Sequence, residues 1–146
     1  MPFLRIAPIC NGKIYVAPRS YQGEEPGKLD IPMEDYIYAC KTDTDKYAKE
    51  VENKYSNHIT GQPEPRFSLK HLVKETNGVK KTIMLYILPL NDEEQIHFTG
   101  GKFVTPEEIE MNSAQYSSFL KEEIDHLNIV TQMWRNLNEY LLSHYL

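Results

Sequence analysis

Gly27-Lys-Leu-Asp-Ile-Pro-Met-Glu34, and beyond it Asp45-Lys-Tyr-Ala-Lys-Glu-Val-Glu-Asn-Lys-Tyr-Ser56, are the stretches that decide how this chain folds. The first leaves a polar, glycine- and proline-bearing loop (residues 20–28) and enters a short strand, Leu29 to Ile31, which Pro32 closes. The second places Tyr47, Ala48, Val51 and Tyr55 along one side of a helix from about Thr44 to Tyr55, with lysines and glutamates turned outward. A linker joins the two.

Working outward, Arg5 to Cys10 and Lys13 to Ala17 flank Asn11-Gly12. That dipeptide accepts positive φ at both turn centres, so a type I′ hairpin is expected. Pro8 and Pro18 cannot donate to a ladder and belong at edges or strand ends. Phe67, Leu69, His71 and Val73 alternate with polar residues in a half-buried strand, which Asn77-Gly78 turns into a second, Lys80 to Leu90. The centre of that second strand, Ile83 to Leu88, is apolar on both faces and needs a covering layer on each side. Thr105-Pro106-Glu107-Glu108 opens a helix: Thr at the N-cap, Pro at the first position and Glu at the third make a capping box. From Tyr116 the apolar positions Phe119, Leu120, Ile124, Leu127, Val130, Trp134, Leu137 and Leu141 form the stripe of one long amphipathic helix or two in series.

The 146 residues suit a single domain with a real core, and 40% hydrophobic content with ten Tyr, five Phe and one Trp argues against disorder. No basic-then-apolar leader opens the sequence and no run is long enough to span a bilayer, so no membrane contact and a cytoplasmic location are expected. Cys10 and Cys40 lack metal or redox spacing and read as buried thiols. A net charge of −5 argues against nucleic acid as a partner. The charge is uneven, −7 over residues 91–125 against +2 over residues 1–90, and solvated helix faces account for the acidic belt.

The stretch 27–59 resembles a Nudix box whose acidic chemistry has been removed. Lys49-Glu50-Val51 is similar to the Arg-Glu-apolar core of that motif, but Asn53 and Lys54 fall where a Glu-Glu pair belongs. Ser56 stands for the closing glycine, Met33-Glu34 for the two opening glycines, and the upstream glutamate falls near Cys40 or Lys41. Lys13 to Arg19, Ile96-His-Phe98 and Gly101 to Ile109 resemble other segments of the family in the family's order, over roughly residues 3–127. The resemblance implies an α/β (α+β) fold, a Nudix-like α/β/α sandwich with a mixed curved sheet. One Nudix-like domain then covers residues 1–146, its core about 3–127, with a C-terminal helical extension over 128–146.

For chemistry, the resemblance implies a helix whose carboxylates hold divalent metal against a diphosphate. Carried over by position, only Glu50 keeps a carboxylate at a metal-ligand place. Glu52 lies one residue early, about 100° around the axis, and Lys54 brings positive charge where metal should bind. The leading expectation is a ligand-binding or interaction domain without standard Nudix hydrolysis and with no required cofactor. The alternative is a divergent pyrophosphohydrolase of nucleoside diphosphate derivatives, using Mg or Mn with Glu50, Glu52 and a late-loop glutamate as catalytic groups.

Arg19 and Lys49 are the candidates for phosphate contact by a nucleotide-like small molecule; Tyr36 and Tyr38, with Tyr15 and Tyr21, are the candidates for ring stacking. His71 reads as a core or pocket-wall histidine, since a general base also needs a positioned partner. Gly100-Gly101-Lys102 could cradle a phosphate but lacks the strand–loop–helix setting of such loops, so a plain turn is favoured. Glu93-Glu94, in a turn, and Glu107-Glu108 could supply substitute carboxylates near a cleft mouth; for Glu107 and Glu108 a helix start, where acids complement the macrodipole, is favoured. The stripe from Trp134 to Tyr145 outruns what a sandwich must cover, so a homodimer through the C-terminal helix is expected.

Overall fold

In a computed structural model the described residues are 3–36, 44–61, 63, 65–74 and 80–145. The strands are β1 (Phe3–Cys10), β2 (Lys13–Pro18), β3 (Leu29–Asp30), β4 (Met33–Tyr36), β5 (Arg66–Lys74), β6 (Lys80–Pro89) and β7 (Lys102–Val104). The helices are α1 (Thr44–Lys54), α2 (Pro106–Met111) and α3 (Ser118–Tyr145). Among the described residues the strands form one seven-stranded sheet with the path β3-β2-β1-β6-β5; β4 adds to β1 and β7 to β2. It is mixed, as expected, because β1 and β6 run parallel while the other pairs are antiparallel.

The hairpin turn forms as Asn11-Gly12 demands, with φ of 53° and 75°, and Cys10 stands opposite Lys13. β1 is the centre of the sheet. One of its edges pairs with β6 from Phe3 to Ile9, and the other with β4 over Phe3 to Ile6 and then β2 at Ile9 and Cys10. All eight of its residues are buried.

Because side chains alternate along a strand, β1 and β6 each feed two cores. Ala7, Ile9, Leu85 and Ile87 face a cluster completed by Ile109 of α2 and Leu120, Ile124 and Leu127 of α3. Leu4, Ile6, Cys10, Tyr86 and Leu88 face Ala48 and Val51 of α1. The two covering layers that the apolar β6 requires are therefore helices, and the architecture is an α/β/α sandwich. Burial raises the pKa of the Cys10 thiol, in keeping with an inert core cysteine.

Two details differ from expectation. Met33–Tyr36, of which Met33-Glu34 were read at the place of the two opening glycines and the rest as linker, is a strand because β1 offers it an open edge; its two acids did not prevent pairing. Pro8, expected at an edge or a strand end, stands inside the central strand opposite Leu88. Of the two alternatives left open for the C-terminal segment, one helix of 28 residues is what forms. Its proximal half is core. The side chains of Trp134, Leu137, Leu141 and Tyr145, on which the dimer expectation rests, lie outside the described residues, as do Tyr38, Cys40 and Asn77-Gly78. Among the described residues no helix is long and apolar enough to cross a membrane.

Candidate functional site

The face of β1 that turns toward α3 carries Phe3, Arg5, Ala7 and Ile9, so one guanidinium is delivered into an apolar layer. Arg5 is completely buried, and charge buried in that way must be matched. It is matched on every donor. Nε and Nη2 donate to the two oxygens of Glu123 at 2.9 and 2.8 Å. Nη2 and Nη1 also donate to Asp30 at 2.6 and 3.2 Å, and Nη1 to Glu34 at 2.5 Å. A guanidinium has five N–H donors in a planar fork, and here each has a carboxylate before it.

The partners come from three places. Glu123 occupies a core position of α3, Asp30 ends β3, and Glu34 stands opposite Arg5 itself in the β1–β4 ladder. Arg19, just past β2, closes the cluster by donating to Asp30 and, at 3.4 Å, to Glu34, while its Nε donates to the Glu24 carbonyl at 2.8 Å. The Phe119 ring lies under both guanidiniums, 5.4 and 5.3 Å from its centroid, a cation–π pair.

Two guanidiniums thus face three carboxylates, and the carboxylates respond differently. Burial alone would raise Asp30, but Arg5 and Arg19 overcome it and hold its pKa below the ordinary value. Burial raises Glu34, with Asp30 adding to the effect and Arg5 and Arg19 opposing it; the net direction is up. Burial would also depress Arg5, but Asp30, Glu123 and Glu34 hold its pKa high. Glu34 is the carboxylate that reaches the surface, with 21% of its side chain exposed.

It reaches a cavity. About 490 Å³ in volume, the cavity is lined by Arg19, Glu24, Asp30 and Glu34 together with Tyr55, His58 and Phe98. The aromatic part is built by zippering two segments. Ile59 pairs with Ile96, His97 N donates to the His58 carbonyl at 2.9 Å, and Thr60 N donates to the Gln95 carbonyl at 2.8 Å. That register lays the His58 ring flat on Phe98, with centroids 4.0 Å apart and planes at 9°. His58 Nδ1 donates to the His97 carbonyl at 2.9 Å. Tyr55 ties the two parts together by donating from its hydroxyl to the Glu34 carbonyl at 2.9 Å. From behind, the Tyr15 hydroxyl accepts from Phe98 N at 2.8 Å.

The rim is anchored as well. The Glu25 carboxylate accepts from Ser118 N and Oγ at 3.0 and 2.8 Å, and Lys28 donates to the Ala114 carbonyl. The loop between β2 and β3 is thereby fastened to the start of α3, beside the cavity.

No protein-family profile matches the chain, and no curated protein matches it in sequence. Solved structures do match in shape. A Nudix hydrolase of M. smegmatis, RenU, aligns with a TM-score of 0.61 at 12% identity, over 90% of this chain and 85% of that one. The fold is Nudix-like. Dihydroneopterin triphosphate pyrophosphohydrolase of E. coli aligns at 0.57 and 13% identity, over 88% of this chain and 94% of that one. The C-terminal domain of mouse MUTYH, solved in complex with human PCNA, aligns at 0.56 and 12% identity, over 90% and 88%.

A Nudix-like fold would place divalent metal on the helix that α1 represents, and the described residues there do not fit one. Glu50 is exposed on α1, while Glu52 is buried with its Oε2 3.9 Å from Lys49 Nζ. Lys54 donates to Asp35 at 3.0 Å and lies 5.4 Å from the centre of the Tyr55 ring. Burial would lower the pKa of Lys54, but the bond to Asp35 and the neighbouring Tyr55 raise it, so the ammonium stays charged. Hard divalent cations need several oxygen ligands. Among the described residues no three His, Cys, Asp or Glu side chains gather to hold a metal ion.

Of the residues singled out from sequence, Arg19 lines the cavity; Lys49, Glu50 and Glu52 stand on α1 and do not line it. Tyr36 ends β4 and His71 lies in β5, with side chains outside the described set. Gly100-Gly101 makes a turn closed by Gly101 N to the Phe98 carbonyl at 2.9 Å. Gly101 is glycine for room: a Cβ there would stand 1.9 Å from the Tyr15 hydroxyl. Sequence reasoning missed Arg5, Asp30, Glu34 and Glu123. The available signal for Arg5, Asp30 and Glu123 was a charge set within an apolar alternation or stripe; Glu34 carried no such signal.

Proposed function

We propose that this domain binds a nucleotide-like small molecule in the cavity between the Arg19–Asp30–Glu34 wall and the Tyr55–His58–Phe98 wall, without metal-dependent Nudix hydrolysis. The observation that carries this reading is the cavity itself. Its volume of about 490 Å³ falls within the range of small-molecule sites, about 300–1,000 Å³. It combines aromatic surface for a ring with a few fixed polar groups, the usual division of labour between affinity and orientation.

The absence of hydrolysis is supported by the Lys54–Asp35 ion pair on the α1 side, where the fold's metal chemistry would need carboxylates. The protein complex in which the MUTYH domain was solved supports a role for this fold in assemblies too.

A thermal-shift screen of nucleotides, sugar nucleotides and divalent ions tests the reading. At least one ring-bearing compound raises the melting temperature of the wild type and fails to do so for Phe98→Ala. Magnesium and manganese leave it unchanged. Phosphate release from a panel of nucleoside diphosphate derivatives with either metal, abolished by Glu50→Gln, would instead establish a divergent pyrophosphohydrolase.

A further inference from the structure

Which ligand the cavity prefers follows from where its charges are already committed. Its lining holds the carboxylate residues Glu24, Asp30 and Glu34 against one cation, Arg19. Arg19 is largely spent: Nη1 donates to Asp30 and Glu34, and Nε to the Glu24 carbonyl. The other guanidinium, Arg5, lies behind the wall with no exposed surface. A phosphate entering here would meet three carboxylate residues against the one cation Arg19.

A neutral ring edge fares differently. Arg19 Nη1 and Glu34 Oε1 are 3.4 Å apart, so a donor group and a two-oxygen acceptor stand side by side at the cavity wall. A carboxylate accepts two parallel N–H groups from one carbon, and a guanidinium with N–H to spare donates to a carbonyl next to them. The complementary edge reads acceptor, donor, donor. The His58–Phe98 stack and Tyr55 supply apolar surface for the plane that carries this edge.

We propose that the cavity, on the reading above that it is a ligand site, selects a planar ring with a 2-amino-lactam edge, set against Arg19 and Glu34, and gains nothing from attached phosphate. Guanine and pterin rings both carry that edge. The ring plane rests on the aromatic wall, the lactam carbonyl takes a hydrogen bond from Arg19, and the ring N–H and exocyclic amine donate to Glu34. No step in this selection breaks a covalent bond.

Calorimetric titration of the wild type with guanosine, inosine, adenosine, guanosine diphosphate and pterin tests the proposal. Inosine lacks only the exocyclic amine and forgoes one charge-assisted hydrogen bond to Glu34, so it binds about tenfold or more weakly than guanosine. Guanosine diphosphate binds no more tightly than guanosine. Glu34→Gln, which turns one acceptor into a donor, removes the preference for guanosine over inosine. Comparing guanosine with pterin identifies which ring is the better fit.

Equal affinity for guanosine and inosine, or tightening by the diphosphate, overturns the selection. Should that happen while some other nucleotide still binds in a Phe98-dependent way, the ligand-site reading stands and only the selection falls. Should no ring compound bind at all, both fall. The wild-type comparison decides the matter even if Glu34→Gln does not fold.

Discussion

Arg5 and Glu123, 118 positions apart, meet as a two-pronged ion pair, 2.9 and 2.8 Å at its two contacts, with neither side chain exposed. The pair joins the central strand to the longest helix. Buried ion pairs of this kind do not stabilise a fold by attraction alone, because both charges lose water. Their consequence is asymmetric: removing one partner strands the other.

Arg5→Met is therefore expected to cost about 3–5 kcal/mol, the usual penalty for orphaning buried charge. Three carboxylates lose their common partner at once. A urea midpoint lowered by that amount checks the expectation; a midpoint near the wild type would show that the network is not a structural requirement. Arg5→Lys should recover little, since a compact ammonium cannot supply the five-donor fork.

The pH dependence of stability should divide between two carboxylates of opposite sign. Asp30 has a folded pKa below its unfolded value, so its contribution is present above the unfolded value and is lost as pH falls through the folded one. Glu34 has a folded pKa above its unfolded value, so its contribution is present below the unfolded value and is lost as pH rises through the folded one. Glu34→Gln should accordingly raise the urea midpoint at neutral pH relative to acid pH, while Asp30→Asn should flatten the acid limb. Identical pH profiles for the two variants would contradict this.

Gly101→Ala places a Cβ 1.9 Å from the Tyr15 hydroxyl, and 2.4 Å from the ring carbon bearing it. Tyr15 must move, and it is the residue that holds the Phe98 amide. Overpacking of this kind costs about 1–3 kcal/mol, read as a lower melting temperature. Near-ultraviolet circular dichroism should change with it, since Tyr15 packs edge-on to Phe103 at 5.0 Å.

At the other end of that segment, Thr105 accepts from Glu108 N at 3.2 Å and Glu108 reaches back to Thr105 N. Thr105→Ala removes the first of these bonds and should cost about 1 kcal/mol, while Thr105→Ser stays close to the wild type. Equal loss in both variants would mean that the methyl group, not the hydroxyl, matters.

The Asn11-Gly12 turn, the Thr105 cap and the two-faced apolarity of β6 could all be read in the sequence because each is a local pattern with its own physical cause. The α/β/α layering came from the resemblance to the Nudix order of elements, with β6 asking only for a cover on each face. Met33–Tyr36 could not be read as a strand: two acids in four residues have no strand pattern, and the segment pairs only because β1 leaves an edge beside it. The charge cluster was hidden for a related reason. Arg5, Asp30, Glu34 and Glu123 lie in four separate elements, and only the tertiary fold brings them into one network. Arg5, Asp30 and Glu123 were nonetheless conspicuous where they stood, each a charge in a position that its neighbours mark as interior. Arg19 was legible as a polar contact residue, but not that it is largely committed to Asp30 and Glu34.

The parallel pairing of β1 with β6 has a kinetic consequence. β1 is made before its distant partners: one edge of it waits for residues 83–89 and its guanidinium waits for residue 123. Contacts so distant along the chain must close large loops before they return any stabilisation, which slows folding compared with helical bundles of equal size. Until α3 docks, Arg5 has no Glu123 to meet it on that face of the sheet. The domain should therefore become stable in one late step that begins with its last third, with its opening strand among the final pieces to be secured.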